Sequence, residues 1–234
     1  MTDLTSSSYS SSSSHSPHQL EDADEHCLSA AAADRLLREA PWKRFAVVGD
    51  SLAKGIGESL AGYADASWCA RVADALRRRH PDLAYLNLGT AGLLAAQVRE
   101  AQLGPVLDFK PDLVGLVAGG NDALSKTFDP EQVEGELDAM TAALRETGAD
   151  VVLFAVQDIS GAYPKLAAVS APLRALADRV RAVARRHDAV LVDMAAHPTA
   201  TSRDMYSSDL MHSSMRGHAV IAAATITALG ARVG

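Results

Sequence analysis

The chain has 234 residues, 48% of them apolar, with a formal net charge of −7 and two cysteines. That length suits one doubly wound domain, and the negative charge argues against a nucleic-acid or polyphosphate partner. No apolar run approaches the roughly 20 residues that a membrane span requires, and the first 27 residues hold no signal-like apolar stretch, so a cytoplasmic protein is expected.

Residues 2–18 are dominated by Ser, with Thr and His, and residues 20–26 by Glu, Asp and His. A segment this poor in apolar surface cannot offset its ordering entropy, so residues 1–27 are expected to be a disordered tail and 28–234 the globular domain. His15, His18 and His26 then read as solvated tail histidines rather than a metal-binding tract. Ala30 to Ala40 predicts a helix stopped by Pro41, and Arg44 to Val48 a buried strand ending at Gly49. Ser67 can cap a helix that sets Trp68, Val72 and Leu76 on one stripe and ends in Arg77-Arg78-Arg79. Leu83 to Leu88 reads as the second strand, Leu93 to Leu103 as a helix and Leu113 to Val117 as the third strand. Asp129-Pro130-Glu131 starts the next helix with a cap, a first-turn proline and an acid; Val133, Leu137, Met140 and Leu144 form its stripe, and Gly148 can end it. Val151 to Val156 is the fourth strand. Pro172 to His187 is a helix with Leu173, Leu176, Val180 and Val183 inward and its arginines outward, as on a solvated face. Ala189 to Val192 is the fifth strand, and a last helix runs from about Gly217 to Leu229.

This alternation predicts an α/β fold: one three-layer α/β/α domain, doubly wound, with a five-stranded parallel sheet covered by helices on both faces. Ligands of such sheets bind beyond the carboxyl ends of the strands, near the point where strand order reverses. The polar oddities of the chain fall there. Strand one ends in Gly49-Asp50-Ser51-Leu52, strand two in Asn87-Leu88-Gly89-Thr90-Ala91-Gly92 and strand three in Gly119-Gly120-Asn121-Asp122; Asp209-Leu210-Met211-His212 follows the last strand by a loop.

In this order the four groups resemble the blocks of the GDSL/SGNH hydrolase family, over roughly Phe45 to Leu229. The resemblance implies a flavodoxin-like SGNH fold, Ser51 as nucleophile, Gly92 and Asn121 as oxyanion donors beside Ser51 itself, and His212 as base oriented by Asp209. Gly92 is chosen over Gly89 because it stands five residues after Asn87, as the family's second-block glycine does after its asparagine. Two departures leave these groups intact. Ala53-Lys54 replaces the Thr-containing continuation of the first block, and Ser213 stands where many relatives carry proline.

Chemistry argues for the same roles. A serine hydroxyl attacks at neutral pH only when a base takes its proton, and imidazole suits that task. Asp209, three residues before His212, can hold the ring in one tautomer and stabilise the imidazolium. The anion formed at the carbonyl oxygen needs preorganised donors, available from the Ser51 and Gly92 N–H groups and the Asn121 amide. Gly92 is expected to allow a close backbone approach. A glycine and serine after a strand often make only a turn, and Gly119-Gly120-Asn121-Asp122 alone reads as a loop; the ordered set carries the argument. Asp50 and Asp122 are expected to brace their loops, and His218 to pack at the start of the last helix.

Other site types fit poorly. Gly49 and Gly55 lack the Walker spacing, no dinucleotide fingerprint follows strand one, and Ser51 is not in a Gly-x-Ser-x-Gly elbow. Cys27 and Cys69 are expected to be free thiols, and no cysteine–histidine cluster points to a metal. The expected activity is therefore hydrolysis of a small intracellular carboxylic ester through an acyl-Ser51 intermediate, with no cofactor, no metal, no nucleic acid and no membrane span. Acyl transfer or thioester hydrolysis would use the same intermediate, and an inactive binding module is the alternative of another kind. Specificity is expected from the loops Lys54–Asp65, Gln157–Leu166 and Pro198–Ser208.

Overall fold

The computed structural model describes residues 18–234, so the Ser-rich stretch up to residue 17 lies outside the described residues. In chain order the elements are α1 (Gln19–Ala23), α2 (Ala30–Leu36), β1 (Arg44–Gly49), α3 (Ser51–Lys54), β2 (Gly57–Glu58), α4 (Trp68–Arg79), β3 (Ala84–Asn87), α5 (Ala95–Phe109), β4 (Leu113–Val117), α6 (Gly120–Ala123), α7 (Pro130–Glu146), β5 (Asp150–Ala155), α8 (Ser170–Arg186), β6 (Val190–Asp193), β7 (Ser213–Ser214) and α9 (Met215–Val233).

Five strands form one sheet in the order β3-β1-β4-β5-β6, every pair parallel. Because successive side chains point to opposite faces, β1 sends Phe45 and Val47 to one core layer and Ala46 and Val48 to the other. The first layer, under α2, α4 and α9, holds Trp42, Trp68, Phe154 and Ile221. The second, under α5, α7 and α8, holds Val98, Leu116, Leu137 and Leu176. Strands buried on both faces explain the unbroken apolar run Leu113–Val117.

Helix starts follow the expected chemistry. Ser67 accepts a hydrogen bond from Ala70 N, and Asp129 accepts from the N–H groups of Glu131 and Gln132 ahead of Pro130. Two helix ends depart from expectation. α2 stops at Leu36, since Ala40, ahead of Pro41, is turned out of the helix while staying buried. α5 instead runs through Pro105 to Phe109: Val106 is fully buried, and Arg44 caps the C-terminal end of the helix by donating to the carbonyls of Phe109 and Lys110.

The expected boundary at residue 28 needs correcting. Residues 18–27 are packed on the domain rather than free of it. Glu21 pairs with Arg71 through two nitrogens and accepts from Ala64 N, while Asp24 accepts from Tyr63 Oη at 2.9 Å and from Arg216 Nε at 2.7 Å. The Asp24 and Arg216 side chains are only 6% and 11% exposed. Counting apolar residues misses this segment because charge-assisted bonds, not apolar burial, hold it.

Candidate active site

β1 delivers the first group. Gly49 has φ +138°, and a Cβ there would stand 1.8 Å from Val117 O, so glycine alone fits. Asp50 then caps α3: its N–H donates to Val117 O at 3.1 Å, and its carboxylate accepts from Leu52 N at 3.0 Å. Ser51 is the first residue of that short helix, held at the top of the sheet.

The second group is pinned to the first. Asn87 accepts from Gly89 N at 2.8 Å and donates to Ala53 O at 2.9 Å. The close backbone approach expected at Gly92 occurs at Gly89, where a Cβ would meet Lys54 N at 2.2 Å. At Gly92 no atom of the described residues lies within 4 Å of that position, and the left-handed φ of +82° is what calls for glycine.

Asn121 lies in α6, after a left-handed turn at Gly119. One amide proton of Asn121 goes to Leu93 O at 3.0 Å, leaving the other for a ligand. Asp122 accepts from Ala95 N at 3.0 Å and braces its loop as expected.

In the fourth group, His212 Nδ1 donates to Asp209 Oδ2 at 2.6 Å, which leaves Nε2 for a proton transfer. Asp209 also accepts from the N–H groups of Met211 and His212. The N–H and the imidazole of His212 hold its carboxyl down to about 2, so it stays ionised at neutral pH. The loop is tied to the domain by the parallel pair of β2 and β7, a feature the sequence reading did not contain, and by Ser207, whose hydroxyl accepts from Glu58 N and donates to Ser213 O.

Ser51, Asn121 and His212 line one cleft, together with Asp50, and Asp209 stands behind the imidazole. Gly92 is exposed and not among the lining residues. The walls are mostly apolar, including Leu124, Val156, Ile159, Leu173 and Met211, and no lysine or arginine contributes among the described residues. Each of the three loops expected to set specificity supplies a wall: Ile56, then Gln157 and Ile159, then Tyr206. Burial pushes the Asp50 carboxyl up to about 6, with Asp122 adding to the rise, while Leu52 N–H and His212 oppose it.

His218 is excluded from proton transfer. Its Nδ1 accepts from Trp68 N, its Nε2 donates to Ile56 O at 3.0 Å, and burial lowers it to about 4, so it is a neutral packing residue. Among the described residues no group of three His, Cys, Asp or Glu is placed to hold a metal.

One residue that bears on the site was missed. Gln102 is 3% exposed and bonds both backbone polar groups of Gly49. Its signal is a lone amide in the otherwise apolar stripe Ala95, Val98, Gln102, Val106.

Residues 47–220 match the model of the GDSL-like Lipase/Acylhydrolase family. An arylesterase of Vibrio mimicus is 31% identical over 134 residues, which is 56% of this chain and 60% of that protein, so the match spans less than two thirds of the curated relative. Among solved structures, an alpha/beta hydrolase enzyme from the metagenome of Lake Arreo, Spain, superposes with a TM-score of 0.65 at 24% identity, covering 80% of this chain and 95% of that one. An acetylxylan esterase from Geobacillus stearothermophilus gives 0.66 at 18% identity, covering 80% and 94%. At these identities the two structures speak for the fold.

Proposed function

The chain belongs to the GDSL-like lipase/acylhydrolase family, and from that premise we propose that it hydrolyses a small, uncharged carboxylic ester through an acyl-Ser51 intermediate. The observation that carries the reading is that Ser51, Asn121 and His212 line one cleft while Asp209 fixes the far nitrogen of the imidazole. Ser51 Oγ attacks the ester carbonyl as His212 Nε2 takes its proton, and the ionised Asp209 stabilises the imidazolium. The Ser51 N–H and the second Asn121 amide proton meet the oxyanion, and the family resemblance alone adds the Gly92 N–H, whose residue does not line the cleft. Collapse expels the alcohol, protonated by His212. Water, activated by the same nitrogen, then releases the acid and restores Ser51.

The substrate class follows from the cleft wall. Apolar side chains favour an apolar acyl or alcohol group, and with no lysine or arginine among the described lining residues to pair it, an anionic substrate would meet the buried Asp50. A cytoplasmic setting remains part of the proposal. The test is a fluorophosphonate label followed by peptide mapping, with turnover measured on p-nitrophenyl esters of increasing chain length. Labelling at Ser51 with turnover is the expected result; a chain that neither labels nor turns over would be a binding module, and labelling at another serine would overturn the assignment.

A further inference from the structure

β1 loses its neighbour just before the nucleophile. β3 pairs with it as far as Val47 opposite Asn87, and Leu88 N still donates to Val47 O. The chain then peels away, and only Thr90 N, at 3.0 Å, reaches back to Gly49 O. Gly49 N–H faces the gap, inside the protein, where an unpaired donor would be costly.

Gln102 fills the gap from α5. Its Oε1 accepts from Gly49 N at 2.7 Å and its Nε2 donates to Gly49 O at 2.9 Å, so the side-chain amide stands in for one peptide of a missing strand. The Gly49–Asp50 peptide is thereby held at both ends, its oxygen by Gln102 and Thr90 and its N–H by Val117 O. The next peptide carries the Ser51 N–H. α5 also reaches the third block: Ala95 N, in its first turn, donates to Asp122, and Leu93 O, just before the helix, accepts from Asn121. One helix therefore ties together the blocks that bear Ser51, Gly92 and Asn121.

We infer that Gln102 is a positioning residue for the acyl-transfer step, acting through Gly49 on the aim of the Ser51 hydroxyl and N–H. The inference rests on the function proposed above. Gln102 touches no substrate, so its loss lowers kcat and spares KM.

Gln102→Glu is the informative variant. Ionised, the new carboxylate accepts from Gly49 N–H but sets an oxygen against Gly49 O; protonated, it restores the donor. Gln102→Met, of similar length and without a donor, is the companion. The parent enzyme is first shown to label and turn over through Ser51; failure there removes the proposed function itself and is read before any variant is made. All rates are then normalised to labelled Ser51, so that unfolded protein does not count. At about pH 8, kcat of Gln102→Glu on p-nitrophenyl acetate is expected to fall roughly ten- to hundredfold with KM within about twofold, and the ratio to the parent should rise as the pH falls. Gln102→Met should show a similar loss with a pH-independent ratio. Folded variants with kcat within about twofold of the parent, a loss carried by KM, or a flat ratio for Gln102→Glu would overturn the inference. So would failure of both variants to fold, which would make Gln102 a packing residue.

Discussion

Ser51 follows a strand buried on both faces, whose last peptides bond to Val117 and Gln102; across the cleft, His212 stands in a loop whose partner Asp209 has a half-exposed side chain and whose regular pairing is the two-residue strand β7. The proposed nucleophile thus inherits its geometry from the core, where packing is dense and any shift is felt widely. The proposed base is held by local hydrogen bonds and by the pairing of β7 with β2, and Asp24 anchors Arg216, four residues further along the chain. The difference teaches that the two halves of the site can fail independently, the first through geometry and the second through its tethers.

Four measurements would break or sharpen that contrast. The largest effect is expected on the core side, where Ser51→Ala should abolish fluorophosphonate labelling and lower turnover on the order of 10⁶-fold with the fold intact. Asn121→Ala comes next: kcat should drop about 10²- to 10³-fold with little change in KM, because the amide matters most when the carbonyl oxygen is charged. A folded variant with kcat within about threefold of the parent would remove Asn121 from the oxyanion hole.

Asp50 gives a pH test. Its folded-state value of about 6 lies above the usual 3.8, so its ionisation disfavours the fold, by a cost that is absent below about pH 4 and complete above about pH 6. Asn caps a helix as well as Asp, so Asp50→Asn should gain stability over the parent between pH 4 and pH 7, by at most about 3 kcal/mol. Urea midpoints of both proteins at the two pH values measure it, and a difference independent of pH would refute the buried-acid assignment. The smallest effect belongs to the tether. Asp24→Ala should cost about 1–2 kcal/mol in urea unfolding, limited because Arg216 keeps Asp204 at 3.0 Å, and should lower kcat less than Asn121→Ala does. An Asp24 variant as impaired as Asn121→Ala would mean that the base side is as demanding as the core side.

The same contrast explains what could be read from the residues alone. Strand runs, caps and the Gly49-Asp50-Ser51 turn obey local rules of period, φ and capping, and they lie near their expected places. The Asp209–His212 bond is local too, three residues apart. What escaped was long-range: Gln102 reaches Gly49 across 53 positions and Arg216 reaches Asp24 across 192, and no periodicity encodes such pairs. β2 and β7, two residues each, are too short to show alternation. The end of α5 lay further on than Leu103, since the helix continues through Pro105 to Phe109, with Val106 fully buried.

The position of His212 also bears on how the protein is made. Every strand of the main sheet except β1 is synthesised between Ser51 and His212, and the His212 loop is fixed only when β7 meets β2 and the buried face of α9 closes one layer of the core. A ribosome releases Ser51 well before His212, so the half-made chain carries the proposed nucleophile before the imidazole proposed to activate it. Contacts between such distant segments are also the slow ones to form. Under the proposed function, ester turnover reports completed folding: in a series of stalled nascent chains, activity should appear only once α9 has cleared the exit tunnel, well after the sheet is assembled.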